Sequence, residues 1–314
     1  MILVLSWSGD ETTDIIVGAL HPVPVFRWNL DLWDQYEACI TNEGFRIKDP
    51  EGRVADESNV MAVYLRKLFF NPCRIDVPAA GNAEAWKRAE LEAIWLGMRD
   101  LAHEQGKLAL VHPASTGRWG KIRQMRVAQE YFRVPDWWVI TGGGMPDVGP
   151  PVVAKTFTGT NIGGGLMPVQ EVNPSKLSTD YPWFLQSKMT QASHDVTVAW
   201  VDGELFAYEV DRSLFEGEDV RVSSIDWQPS RLTQRETENI TEFMKRTGYS
   251  FGRLDFLKVD GELWFLEVNP NGQFAWLDLD RKSGLIHSVA EAIKRVWEKN
   301  RVLHAGLRQD HQAS

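Results

Sequence analysis

Between Gly252 and Asp278 the chain reads GRLDFLKVDGELWFLEVNPNGQFAWLD, and this stretch restricts the possible folds more than any other. Two runs rich in apolar and aromatic residues, Leu254 to Val259 and Glu262 to Val268, flank Asp260-Gly261, a dipeptide typical of tight hairpin turns. Asp255 belongs to the first strand, Glu267 and Asn269 to the second. Residues two apart on a strand project from one face, so Glu267 and Asn269 stand together. Whether Asp255 joins them depends on the loop. A two-residue turn sets Asp255 opposite Leu266, on the other face. A three-residue loop, Val259 to Gly261 with Gly261 left-handed in a bulge, sets it opposite Phe265 and on the shared face. The second arrangement gathers two carboxylates and an amide oxygen, hard donors suited to Mg2+, which leaves its other positions to water and phosphate oxygens. An odd-numbered loop is therefore the expectation; the alternative is a surface hairpin whose acids are merely solvated.

The rest of the composition narrows the class. A chain of 314 residues, 43% hydrophobic and 25% charged, has the makings of two or three globular lobes with proper cores. A net charge of -9 gives no basic footprint for nucleic acid, although a local basic groove for an acidic peptide remains open. The 2 cysteines, Cys39 and Cys73, make no CxxC pair, which points to a reduced, cytoplasmic protein. The 7 histidines show no metal-ligand spacing, so no zinc site is expected. MILVLSWSGDE lacks a basic n-region and reads as a first strand, and no apolar run approaches a membrane span.

Taken in order, the chain opens with a buried strand at Met1 to Leu5, a helix after Asp10, and strands at Pro24 to Trp28 and Val60 to Arg66. This β-α-β beginning predicts an open α/β lobe. Arg66 either faces a cleft or lies on the surface. Asp49 to Asn59 reads as a polar, turn-rich connection. A helix from Asn82 carries one apolar stripe of Leu91, Ile94, Trp95, Met98 and Ala102, stops at Gly106, and is followed by a strand at Lys107 to Val111. The first domain boundary falls near 113–117. Gly120 to Tyr131 is a helix with Ile122, Met125 and Ala128 inward, leading to a strand at Trp137 to Ile140. Val152 to Thr156 is an apolar strand interrupted by Lys155, whose ammonium needs a counter-charge if buried. The glycine-rich segment TGTNIGGG, 158–165, lets backbone N–H groups approach an anion closely. Further strands run from Trp183 to Met189, Val196 to Val201 and Glu204 to Val210, with helices at Thr233 to Thr247 and Ser283 to Asn300. The tail 303–314 lacks a core pattern.

The wording D-x11-E-V-N-P-N-G-Q, from Asp255 to Gln273, resembles the metal-binding hairpin of the ATP-grasp ligases. Its continuation NPNGQF-x-W resembles one branch of them, the graspetide (microviridin-type) peptide macrocyclases. The likeness spans roughly 121–279. It implies an α/β fold of the α+β ATP-grasp kind: an N-terminal domain at 1–115, a two-lobed ATP-grasp domain at 116–302, and a flexible tail at 303–314. ATP and Mg2+ are the implied cofactors, with Asp255, Glu267 and Asn269 as metal ligands. Lys121, at a helix start before "VP" and a strand, becomes the first phosphate-contacting lysine, and Lys155 the second, directly before the glycine-rich lid. Gln186, Ser187, Lys188 and Met189 line the hinge that receives adenine, and Asp195 helps hold the nucleotide. The sequence departs from the family where Thr197 replaces the arginine of "DxR", where Ser187 stands for a hinge glutamate, and where Gln228 follows Asp226-Trp227 in place of an arginine. Arg212, Arg221 and Arg253 are the candidates for neutralising the reacting phosphate in their stead.

The resemblance implies an ADP-forming ligase that activates Asp or Glu side chains of a ribosomal precursor peptide as acyl phosphates and joins them to Ser/Thr hydroxyls or Lys amines. The partner would be a precursor with a leader and an acidic/hydroxyl core. Asn271 and Gln273 would offer amide groups to the peptide, and the 196–210 hairpin would meet the remainder. No nucleic acid or membrane partner is expected, and a homodimer is compatible. A carboxylate–amine ligase for a small molecule or protein tail is the alternative, and an idle ATP-binding scaffold a third; NPNGQF favours the first.

Overall fold

The computed structural model describes residues 1–66, 81–110, 120–142, 151–155, 169–215, 217 and 225–312. Its first element, β1 (Ile2–Ser6), is wholly buried because both faces of its sheet are covered. α1 (Glu11–Leu20) leads to β2 (Val25–Asn29), and β1 pairs in parallel with β2 on one side and with β6 (Ala62–Leu65) on the other. After α2 (Gly81–Glu104), β7 (Leu108–Ala109) completes a parallel sheet of order β2-β1-β6-β7. Alternation of side chains decides the layers. Ile2, Val4, Ala62 and Tyr64 pack with Ile16 and Leu20 of α1, whereas Leu3, Leu5, Val63 and Leu65 pack with Trp95, Met98 and Ala102 of α2. Each such fully buried aliphatic contributes about 1.5–3 kcal/mol. Ile94, expected in the α2 stripe, is 39% exposed and sits outside it.

Between β2 and β6 the chain inserts a three-stranded antiparallel sheet, β3 (Glu37–Thr41), β4 (Gly44–Lys48) and β5 (Val54–Asp56). The connection expected at 49–59 contains β5, a strand of 3 residues and too short to show alternation; β3 is exposed along its length, whereas Phe45 and Ile47 of β4 and Ala55 of β5 are buried.

A second sheet has the antiparallel order β10-β9-β11-β8, built from β8 (Trp137–Ile140), β9 (Val152–Lys155), β10 (Gln170–Val172) and β11 (Trp183–Ser187). α3 (Lys121–Ala128) precedes it, with Met125 and Ala128 buried but Ile122 46% exposed, contrary to expectation. The segments 111–119 and 156–168, which hold the expected domain boundary and the glycine-rich lid, lie outside the described residues.

The largest sheet contains β12 (Ala192–Val201), β13 (Glu204–Asp211), β14 (Gln228–Pro229), β15 (Phe251–Val259) and β16 (Glu262–Asn269) in the order β14-β13-β12-β15-β16. α4 (Gln234–Thr247) opens with a complete Thr233/Glu236 capping box and closes on left-handed Gly248. Its Ile240, Phe243 and Met244 cover Val196, Val198, Leu254, Phe256 and Phe265 on one sheet face. At one end of the opposite face, Ala199, Val201, Tyr208 and Phe251 join Leu285, Ile286, Val289 and Ile293 of α5 (Leu285–Gln312) and the N-terminal sheet in a single cluster. α5 continues to Gln312, so most of the segment expected to be a loose tail extends the helix. None of the described helices is long and apolar enough to cross a membrane.

Candidate active site

The other end of the large sheet's second face carries the expected constellation, reached by a different route from the one anticipated. The β15–β16 loop is the two-residue turn Asp260-Gly261, with φ of 50° and 80°, and the strands pair regularly from Val259↔Glu262 to Phe256↔Phe265. Such a turn should have placed Asp255 opposite Leu266. A bulge intervenes: the register shifts after Phe256, Leu266 is the extra residue, and Asp255 stands opposite Glu267 and Arg253 opposite Asn269. The expectation of an odd-numbered loop is therefore wrong. The shared face is right, because one additional residue in the strand does what one in the loop would have done.

Within this face the groups touch. The Asn269 amide nitrogen lies 3.2 Å from Asp255 Oδ2 and 3.0 Å from Glu267 Oε1. Lys121, at the first position of α3, reaches Glu267 Oε2 at 3.1 Å, and its ammonium lies 5.6 Å from the centre of the Phe184 ring. The Gln124 side-chain oxygen accepts the Val268 N–H at 3.2 Å, which docks α3 against β16. Phe184 stands opposite Lys155 in the β11–β9 pair, so the ring beside Lys121 neighbours Lys155 on the smaller sheet. Arg253 donates to Asp255 Oδ2 at 3.1 Å. On the other flank of β15, Thr197 is directly opposite Asp255 and donates to Oδ1 at 2.8 Å. Thr197 was noted only as the loss of a family arginine; its hydroxyl instead fixes one carboxylate.

Electrostatics follow from this packing. Burial pushes the Glu267 carboxyl up, but Lys121, Lys155 and the Asn269 hydrogen bond outweigh it and hold the group well below the usual carboxylate range. Burial draws Lys155 down to about 8, aided by Lys121 and opposed by Glu267, Asp255 and Asp195. Asp195 goes the other way: burial pushes it up to about 6 against the pull of Arg212, whose Nη1 lies 2.7 Å away. A site holding more cationic groups than its two central acids can offset is arranged to receive a further anion.

The remaining candidates divide. Arg253 stands at the centre; Arg212 is tied to Asp195; Arg221 lies outside the described residues. At the hinge, Gln186 is 1% exposed with its Oε1 unpartnered, the Ser187 and Lys188 N–H groups donate to Asp136 O and Pro151 O, and the Met189 carbonyl accepts from Ala192. The side-chain oxygens of Asn271 and Gln273, expected to face substrate, accept instead from Arg66 at 2.7 and 2.8 Å. Arg66 itself is neither at the surface nor lining an open cleft; it is fully buried. Among the described residues no group of three or more His, Cys, Asp or Glu gathers, so a cation here would rest on two carboxylates and an amide. Asp255, Glu267 and Asn269 fit Mg2+: all can present oxygen, they meet around one point, and phosphate oxygens can complete the shell.

No protein-family model matches the chain, and no curated protein matches it in sequence. Solved structures do resemble it. An ATP-grasp ligase associated with ribosomal peptides in Chryseobacterium gregarium, in complex with ADP and a leader and core peptide, superposes with a TM-score of 0.76 at 20% identity, covering 94% of this chain and 96% of that one. Macrocyclase MdnC of Microcystis aeruginosa, bound with precursor peptide MdnA, gives 0.72 at 19% identity over 93% and 97%. The D-alanine–D-alanine ligase of Bacillus anthracis, complexed with ATP, gives 0.56 at 13% identity over 98% and 99%. The chain thus has the α+β fold of the ATP-grasp ligases.

Proposed function

We propose that this protein is an ADP-forming ligase that closes rings in a ribosomal precursor peptide, joining Asp or Glu side chains to Ser/Thr hydroxyls or Lys amines. The observation that carries the reading is the meeting of Asp255, Glu267 and Asn269 with Lys121 and Arg253 on one face of the bulged hairpin. Carboxylates do not condense with hydroxyls or amines unaided in water; phosphorylation by ATP turns the carboxylate into an acyl phosphate with a good leaving group. The protein's share of such chemistry is positioning and charge neutralisation.

Lys121 and Lys155 supply fixed positive charge on the phosphate side, and Arg253 supplies a guanidinium next to Asp255. Asp255, Glu267 and Asn269 would hold Mg2+, whose charge supports phosphoryl transfer when bound. Asp195 and the hinge residues Gln186 to Met189 would hold the nucleoside. The amide N–H groups of Asn271 and Gln273 would meet the peptide side chain. The solved structures of similar shape that hold a leader and core peptide or a precursor support a peptide as substrate.

The test is to incubate the protein with ATP, Mg2+ and candidate peptides encoded beside its gene, followed by mass spectrometry and nucleotide analysis. Products lighter by one water per bond, with ADP released, are expected. Addition of a free amino acid to the peptide would move the protein to the carboxylate–amine ligases, and AMP formation would contradict the acyl-phosphate route.

A further inference from the structure

Arg66 directly follows β6 in the N-terminal sheet, 205 positions before Asn271, which its side chain touches, and that side chain has no exposure to solvent. Its Nε faces Asp10 Oδ2 at 3.3 Å, Nη1 donates to Asn271 Oδ1 at 2.7 Å and to the Gly272 carbonyl at 3.4 Å, and Nη2 donates to Gln273 Oε1 at 2.8 Å. The guanidinium also lies 5.5 Å from the centre of the Phe274 ring. One cation thus contacts four consecutive residues of the turn that follows the site. Thr12, also from the N-terminal lobe, adds a second tie to Gln273 Oε1 at 2.6 Å.

That turn is coupled tightly to the site. The Gly272 N–H donates to the Asn269 carbonyl at 3.1 Å, and Arg253 Nη1 donates to the Gln273 carbonyl at 2.9 Å while Nη2 holds Asp255. Gly272 packs so closely that an added Cβ would lie 3.2 Å from both Arg253 Cβ and Asn269 Cβ. A shift of this turn therefore moves Asn269 and Arg253 with it.

The energetics argue for a positional role. Burying a guanidinium costs several kcal/mol, and an apolar contact of equal volume would often stabilise as well. The planar fork gives something an apolar group cannot: fixed directions to two amide oxygens at once. Asp10 shares its Oδ2 with Ser6 and Thr13, so the anchor end of the fork is itself immobilised.

We infer that Arg66 is a positioning residue for the nucleotide-activating centre, acting through the 271–274 turn to set Asn269 and Arg253. The inference rests on the ligase reading above. Because the fork is the operative feature, Arg66→Lys keeps a buried cation beside Asp10 but cannot hold both amides. Gln273→Ala removes one partner from the turn, with Arg66 retained, and serves where Arg66→Lys does not fold; Gln273→Glu restores the acceptor.

Two measurements on the full chain decide it. Hydrogen exchange followed by mass spectrometry should show faster exchange at 267–275 in Arg66→Lys and Gln273→Ala, with β1 and α5 unchanged. Calorimetric titration with ADP should show that the Mg2+-dependent part of the affinity falls about tenfold, while ADP affinity in EDTA stays within about twofold. Gln273→Glu should recover most of the loss. Unaltered exchange at 267–275, or an equal fall with and without Mg2+, overturns the inference. Absence of Mg2+-dependent ADP binding in the unaltered protein instead overturns the ligase reading, and this inference with it.

Discussion

Two hairpins of the large sheet turn on the same dipeptide and end up with different uses. Asp202-Gly203 joins β12 to β13 with φ of 47° and 105°, and Asp260-Gly261 joins β15 to β16 with φ of 50° and 80°. In the first, pairing runs unbroken from Val201↔Glu204 to His194↔Asp211. In the second, it slips by one residue beyond Phe256. The regular hairpin contributes to buried clusters on both faces, through Val196, Val198 and Trp200 on one and Ala199, Val201 and Tyr208 on the other. The bulged one aims Glu267 and Asn269 beside Asp255 while Phe265 and Val268, three apart, still face the core. A turn fixes register only until the next irregularity, and here the irregularity coincides with the site.

The widest separation between the hairpins should come from their acids. Glu267→Gln keeps the shape but removes a charge beside Lys121, and Mg2+-dependent ADP affinity should drop by on the order of 100-fold. Glu209→Gln on β13 loosens a half-exposed pair with Lys258 and should change that affinity by less than about twofold. Comparable losses in the two variants would end the distinction between a structural and a functional hairpin.

Deleting Leu266 makes the second hairpin regular like the first while leaving Glu267 opposite Asp255. The protein should fold, and Mg2+-dependent ADP affinity should fall about tenfold, because the bulge's extra twist no longer orients the carboxylate. Retained affinity in calorimetry would reduce the bulge to a tolerated insertion.

The turns themselves should behave alike. An added Cβ at Gly203 or Gly261 meets nothing within 4 Å, so Gly→Ala at either position costs backbone strain alone, about 1–2 kcal/mol. Thermal unfolding should show equal losses, and a much larger one at Gly261 would mean that the turn supports the bulge.

The smallest signal concerns Lys155, which approaches the bulged hairpin from the neighbouring sheet. Its proton is held more weakly in the folded protein, about 8, than in an ordinary lysine, 10.5. In the free protein this group therefore adds stability as pH rises from about 8 toward 10.5, because the unfolded chain binds the proton more tightly there. A phosphate beside the ammonium raises its pKa again, so ADP binding near pH 8 should take up about half a proton, seen by titration in buffers of different ionisation enthalpy. Lys155→Met should abolish that uptake.

What could be read from the residues alone was whatever local chemistry fixes. Continuous apolar runs mark β1, β6 and β8, and period-3.6 stripes mark α3 and α4, since burial of a strand or of one helix face leaves a direct trace in the sequence. Asp-Gly marked both turns, spacing put Glu267 and Asn269 on one face, and the resemblance to the ATP-grasp hairpin added Asp255 to them. The bulge left no such mark, because Leu266 is as acceptable in a regular strand as in an extra position. In the β3–β5 meander, β3 is exposed along its length and β5 is only 3 residues long, so neither carries a strand pattern that the sequence displays. In the sequence Thr197 shows only as a departure from the family and Arg66 only as a cleft or surface residue, because their importance lies in partners 58 and 205 positions away. Only tertiary packing decided those contacts: it brought β12 alongside β15, and it laid the end of β6 against the turn after Asn269, where a buried guanidinium has no water and must be satisfied by whichever oxygens the fold delivers.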